Sequence, residues 1–303
     1  MTLYPEGPVL ANYLDHAAYI TDWLEWRRTG IGASDTSIIC GVTPPSWGSP
    51  LSIYLDKTGE SEPRESSIAM ELGHFLEPFI AAKFTQQTGI EVVQEQVLVR
   101  SLLHPFMIAS IDRLTTDGIS VQLKNTSHRI GDDPDDLPRP MVLQVQHEME
   151  CLGTDRCYLA ILTAGTELLT FEIHRNQTII DSLVAILEDF WSLVENRTPP
   201  QEFQEGDAAI LKSLFGEAQG FCTLGEIDAL AATEFQRLPS EIKALEHQKE
   251  LAECRLLASM AGSRYGELPD GRTVKVTKSE IAAGTSKRRA YTQTRVTVKE
   301  AKA

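Results

Sequence analysis

The sequence predicts an α/β core of about 200 residues followed by a smaller helical and β-hairpin extension. Three observations carry that reading. From residue 68 to residue 196 the apolar period switches between helix and strand in the order αβββαββα. The pair Pro199-Pro200 closes the last of these helices and marks a boundary. Beyond it, a heptad-like apolar stripe and two short β-rich runs replace the mixed pattern.

Residues 17–30 read as a helix stopped by Gly30. Ile31 to Cys40 opens a second, short helix, with Ser34 and Asp35 as candidate caps, and Pro44, Pro45, Gly48 and Pro50 make a rigid loop. Leu51–Thr58 is helical again. Ile68–Thr88 is a longer helix, with Ile68, Leu72, Phe75, Phe79, Ile80 and Phe84 in helical period and Gly89 as its stop. Val92–Val99, Met107–Asp112 and Gly118–Lys124 are strands, the last two joined by a turn at Thr116-Asp117-Gly118. The acidic loop 131–136 precedes a helix from about Pro140 to Gly153; strands at Arg156–Ala164 and Glu167–His174 follow, then an amphipathic helix over Asn176–Asn196. The organisation is thus a core over 1–200, a linker over 201–222 and an extension over 223–303. In the extension, Thr223 to Glu226 reads as a capping box, and Pro239 predicts two helices rather than one. Strands at Thr273–Lys278 and Thr292–Lys299 flank a loop carrying Lys287, Arg288 and Arg289.

The net charge is −15. It is uneven: Arg264–Ala303 holds ten basic and four acidic residues, +6, leaving −21 for the preceding residues. An acidic body argues against general nucleic-acid binding by the whole surface, and the basic tail is a candidate phosphate contact. The five cysteines (Cys40, Cys151, Cys157, Cys222, Cys254) form no CxxC pair, which argues for free thiols buried as small apolar groups. No apolar run approaches the ~18–20 residues of a membrane span, and the N-terminus lacks a signal-peptide pattern, so a cytoplasmic protein with no membrane contact is expected.

The chemistry-bearing candidates lie on the strands. Asp112 ends one strand, and Gln122-Leu123-Lys124 lies on the next, with Gln122 and Lys124 on one face. A carboxylate, an amide oxygen and a lysine converging at a strand edge suit Mg²⁺ and a water poised against phosphate; an Asp and a Lys on neighbouring strands also occur as a plain surface pair. Three further pieces surround them. Gly73-His-Phe-Leu-Glu77-Pro78 lies upstream on the long helix, preceded by Trp23, Arg27 and Ile31-Gly32-Ala33-Ser34-Asp35. Leu143-Gln144-Val145-Gln146-His147 lies on the helix downstream.

In this order, over roughly residues 20–200, these pieces resemble the YqaJ-like phage recombination exonucleases, which include the lambda exonuclease, within the PD-(D/E)xK nuclease superfamily. The resemblance implies a restriction-endonuclease-like nuclease core, a mixed sheet flanked by helices. It implies Glu77, Asp112, Gln122 and the Leu123 carbonyl as ligands of Mg²⁺, for which Mn²⁺ substitutes, and Lys124 at the attacking water. It puts the grip on a 5′ phosphate at Arg27 (Arg28 if the register slips by one) and Ser34, and a substrate-side glutamine at Gln144 or Gln146. It implies double-stranded DNA ends as substrate, a single-strand annealing protein as partner and a three-subunit ring. One departure stands out: the family has Glu where this chain has Gln122. The site then holds two carboxylates in place of three, which leaves open an engineered substitution, a natural Gln-x-Lys variant, or a catalytically inactive DNA- or protein-binding module. Arg113, where the family has Gly, is a second departure.

Overall fold

The computed structural model describes residues 23–61, 67–215, 220–281 and 291–299. The chain forms two compact units, Met1–Ala218 and Gln219–Ala303. Among the described residues no helix is long and apolar enough to cross a membrane.

In the first unit, helix α1 occupies residues 23–28 and leads to a two-residue strand, β1 (Ile31–Gly32), and then α2 (Ala33–Ile39). The sequence predicts that the second helix opens at Ile31. Gly32 is instead the extended N-cap, Ser34 lies inside the first turn, and Asp35 reaches back to accept from the Gly32 N–H at 3.0 Å. A side chain at Gly30 would collide with the Phe106 carbonyl at 2.8 Å, so the approach of β1 to its neighbour depends on that glycine. Helix α3 (Pro50–Thr58) follows, with Ser49 as N-cap and Gly59 closing it in the left-handed region. Helix α4 (Ile68–Thr88) has the predicted bounds, but its stripe does not all go inside. Ile80, Ala81 and Phe84 are buried, whereas Ile68, Leu72, Phe75 and Phe79 are exposed. Only the C-terminal half of α4 packs over the sheet.

The six-stranded sheet comprises β1, β2 (Val92–Arg100), β3 (Met107–Thr115), β4 (Ser120–Thr126), β5 (Arg156–Thr163) and β6 (Glu167–His174). It is mixed: β1 is parallel to β3 and β4 to β5, the other pairs antiparallel. Helix α5 (Arg139–Leu152) connects the parallel pair β4 and β5, as such a crossover requires. Helix α6 (Gln177–Glu195) is capped by Asn176 and buries Ile180, Leu183, Leu187, Phe190 and Val194. Alternate residues of β5 face opposite layers. Tyr158, Ala160 and Leu162 pack with Val121, Leu123 and α4, and Leu159 and Ile161 pack with Val145 and Met149 of α5. Thus α4 and α5 cover opposite faces of the β4–β5 half.

The edge of β3 is divided in a way that places the site. Strand β2 runs along one edge from Thr115 to Ile108. On the other, β1 takes Met107 and Ile108, while β4 takes Arg113 and Leu114. Residues 109–112 between them have no strand partner on that edge among the described residues. The sheet forks there.

The stretch 201–222, expected as linker, contains helix α7 (Asp207–Phe215). Buried Asp207 bonds to Ser49 Oγ, and Ile210 and Leu211 pack on the core, so apolar anchoring and one buried polar pair order a segment whose composition reads as loop. In the second unit the capping residue is Gly225, with Asp228 accepting from its N–H, rather than Thr223. Helix α8 (Glu226–Met260) is one helix of 35 residues, not two, with Pro239 inside it. Good helix formers flank the proline, and Arg237 pairs with Glu234 and with Glu241 across it. The lost hydrogen bond stays local, whereas a second helix would have to nucleate anew. Strands β7 (Tyr265–Glu267), β8 (Thr273–Ile281) and β9 (Tyr291–Lys299) form a separate three-stranded antiparallel sheet, one strand more than expected. Lys287, Arg288 and Arg289 lie outside the described residues. Cys151 and Cys157 are buried free thiols, but Cys222 and Cys254 are exposed, contrary to expectation, because they lie on an open loop and on the exposed α8.

Candidate active site at the fork of the sheet

The fork brings Asp112, Gln122, Leu123 and Lys124 together. Extending the Arg113↔Val121 register places Asp112 opposite Gln122. The Asp112 carboxylate replaces the missing strand partner, its Oδ2 accepting the Leu123 N–H at 2.8 Å. Gln122 and Lys124 alternate toward the layer of Leu159, Ile161 and α5. Gln122 is buried, and its Oε1 has no hydrogen-bond partner. Burial raises the Asp112 carboxyl to about 6, against the pull of Lys124 and the Leu123 N–H, and Glu77 adds repulsion.

Glu77 comes from α4, on the opposite face. It is already engaged, by His74 Nδ1 at 3.0 Å and by Arg113 at 3.7 Å. Arg113 is buried beside it.

Helix α5 supplies a carboxylate the sequence reading missed. Glu148 is fully buried; its Oε1 accepts from Gln144 Nε2 at 3.0 Å, and its Oε2 has no partner. Burial and the nearby Asp112 raise its carboxyl to about 8, against Lys124 and the Gln144 bond. Its signal in the sequence is a Glu four residues after Gln144 on the face that carries Val145 and Met149 inward.

Beside the fork is a small open pocket bounded by Arg27, Ser34, Ser110 and Gln144 and by the backbone at Gly32 and Ala33. Arg27 Nη2 reaches Ser34 Oγ at 3.3 Å and Asp35 Oδ1 at 2.7 Å, and its guanidinium lies over the Trp23 ring. Asp35 also pairs with Lys57 at 2.7 Å, and Lys57 donates to the Arg27 carbonyl at 2.9 Å. Burial alone would raise the Asp35 carboxyl; Arg27, Lys57 and the Gly32 N–H outweigh it and hold it far below the usual carboxylate range. A Cβ at Gly32 would stand 3.2 Å from Arg27 Nη2, so glycine keeps room for the guanidinium. Below the pocket, the Ile108 carbonyl can only accept, so His147 Nε2 carries a proton toward it at 3.0 Å and Nδ1 accepts from Thr36 at 2.7 Å. Burial lowers the His147 pKa to about 4, so the ring is neutral.

The remaining candidates separate cleanly. Arg28 is exposed while Arg27 points into the pocket. Gln144 lines the pocket, whereas Gln146 is buried in a seam, donating to the His174 carbonyl and accepting from the Asn176 N–H. The sequence reading treated Asp35 as a cap and passed over Lys57, whose only signal is a lysine on the buried face of α3 among Leu51, Ile53 and Tyr54.

The donor set at the fork is all oxygen, which suits a hard cation such as Mg²⁺. Among the described residues no three His, Cys, Asp or Glu side chains gather into a cage of their own. A cation here would therefore lean on the neutral Gln122 Oε1 as well as on carboxylates, and that orphaned buried oxygen fits such a role.

Residues 22–156, which span α1, the fork and all of α5, match the model of the YqaJ-like viral recombinase domain. The chain is also similar to the protein YqaJ of Bacillus subtilis (strain 168), 28% identical over 258 residues, covering 81% of this chain and 79% of the relative. Among solved structures it is similar to the alkaline exonuclease LHK-Exo from Laribacter hongkongensis, at 19% identity and a TM-score of 0.48, covering 63% of this chain and 99% of that one. A phage-related exonuclease from Haemophilus somnus 129PT is 10% identical with a TM-score of 0.45, covering 58% and 99%.

Proposed function

We propose that the chain is a divalent-metal-dependent DNA exonuclease of phage-type recombination that resects duplex DNA from 5′ ends. The observation that carries this reading is the fork itself: an Asp112/Gln122/Lys124 constellation opening directly beside a pocket walled by Arg27, Ser34 and Gln144. Asp112, Gln122 Oε1 and the Leu123 main chain would hold the cation, with Glu77 reaching it from the α4 face. When bound, Mg²⁺ would neutralise the scissile phosphate and acidify water.

The chain's own residues divide the rest of the work. The Arg27 guanidinium, fixed by Asp35, and the Ser34 hydroxyl hold a terminal phosphate at the pocket, setting the scissile linkage over the fork. The Lys124 ammonium, half-buried beside Asp112, donates to the attacking water and orients it. The water oxygen would bond to phosphorus as the bond to the 3′ oxygen breaks, the water giving its proton to solvent and the departing 3′ oxygen taking one from solvent. Gln144 braces the pocket wall through Glu148.

The same reading includes a cytoplasmic setting, an annealing protein that receives the exposed strand, and a three-subunit ring in which the acidic body faces outward. The neutral Gln122 favours one second reading, a DNA-binding module of the same fold without cleavage. End preference tests the proposal. Linear duplexes with 5′ phosphates should be degraded faster than those with 5′ hydroxyls, and Arg27→Ala should erase the difference while Arg28→Ala keeps it. Equal use of both ends by the wild type would refute the assigned grip, and the absence of Mg²⁺-dependent degradation of either duplex would leave the binding module.

A further inference from the structure

We infer that Glu148, projecting from α5, supplies the carboxylate charge that Gln122 lacks and is a ligand of the catalytic cation. This rests on the metal-nuclease reading above and deepens it. Gln122 brings a neutral oxygen to the fork, and the buried layer it faces holds an anionic partner. Glu148 is fully buried on the layer toward which Gln122 and Lys124 point, and it interacts electrostatically with both Asp112 and Lys124.

Two buried oxygens at this place, Gln122 Oε1 and Glu148 Oε2, have no hydrogen-bond partner. A buried polar oxygen without a partner costs about 1–3 kcal/mol. Two of them beside a third acceptor, the Asp112 carboxylate, form a set of oxygens short of positive charge. A divalent cation held among them would supply that charge. The Gln144 bond to Oε1 fixes the Glu148 side chain and leaves Oε2 as the free donor. Helix α5 thus provides a ligand from above the sheet, where β4 provides a neutral one. The ligand charge on this layer would then come from the helix, with Asp112 and Glu148 as its two carboxylates beside the neutral Gln122.

The test is Mn²⁺ binding to the full chain, measured by calorimetry at constant pH without DNA, together with thermal unfolding. Glu148→Gln keeps the size and can keep the contact with Gln144, so a purely structural role predicts unchanged affinity. The inference predicts at least about tenfold weaker Mn²⁺ binding with no loss of metal-free stability. Adding Gln122→Glu to Glu148→Gln should recover most of that affinity, because the charge returns to the strand. Asp112→Asn separates the two claims. If Asp112→Asn abolishes Mn²⁺ binding and Glu148→Gln leaves it unchanged, the inference fails and the metal site stands. If neither variant changes Mn²⁺ binding, or the wild type binds none, the metal-site reading fails and takes the inference with it. Should Glu148→Gln not fold, Glu148→Asp serves: it keeps the charge but shortens the reach, and unchanged affinity in that variant also overturns the inference.

Discussion

Replacing Asp35 by alanine should destabilise the first unit sharply and blunt the recognition of a phosphate end. The Lys57 side chain is wholly inaccessible to solvent, and Asp35 at 2.7 Å is its near carboxylate partner; Asp56 stands farther off at 3.8 Å and is exposed, and the Arg27 carbonyl at 2.9 Å gives it no charge. Asp35→Ala therefore leaves a buried ammonium with only the longer, solvent-exposed Asp56 contact, frees the Gly32 N–H and releases the Arg27 guanidinium. Breaking a buried, hydrogen-bonded ion pair in this way costs about 3–5 kcal/mol. At a urea dependence of about 2–3 kcal/mol/M, the unfolding midpoint should fall by roughly 1–2.5 M. Urea titration followed by circular dichroism measures it. Because Asp35 is ionised in the fold far below its ordinary range, the wild-type advantage should be complete above pH ~4 and shrink as pH falls below that value. The double variant Asp35→Asn with Lys57→Met removes the stranded cation and should recover more than half of the loss. A midpoint shift below about 0.3 M for Asp35→Ala would refute the buried triad as a structural element.

Two further outcomes follow from other parts of the molecule. His147 is neutral in the fold with a pKa of about 4, below the ~6.5 of the unfolded chain, so the stability difference between wild type and His147→Gln should shrink by about 3 kcal/mol from pH 7 to pH 4; a difference that stays flat over that range, measured by urea titration, would show that the ring is not held neutral. Neutralising Lys287, Arg288 and Arg289 together should lower the magnitude of the slope of log DNA affinity against log salt by up to about 2–3; an unchanged slope in the folded triple variant would assign that loop to something other than DNA.

Much of the architecture is legible in the sequence because its signals are local. The α4 bounds follow from Ser67 and Gly89 at its ends, and the αβββαββα order follows from apolar periods that short turns keep separate. The fork is legible only in part. Asp112 and Gln122-x-Lys124 stand out by residue type, but the gap in the β3 edge that makes them a site arises from β1 and β4 sharing that edge, a long-range pairing. Glu148 and Lys57 were missed for one reason. Each is a charged residue on a helix face that local periodicity assigns to the core, and only tertiary contact shows what partner makes that burial tolerable. Conversely, Pro239 and the composition of 201–222 read as breaks, and good helix formers, ion pairs and core packing override both.

The central claim is that the forked strand edge is a metal-dependent nuclease site. Degradation of linear duplex DNA labelled at its 5′ ends, followed with Mg²⁺ and with the metal chelated, for the wild type and for Asp112→Asn, tests it most directly. The account predicts release of the 5′ label that requires Mg²⁺ and falls at least about a thousandfold in Asp112→Asn. Label release that persists in a folded Asp112→Asn protein, or that proceeds in chelator, would contradict it.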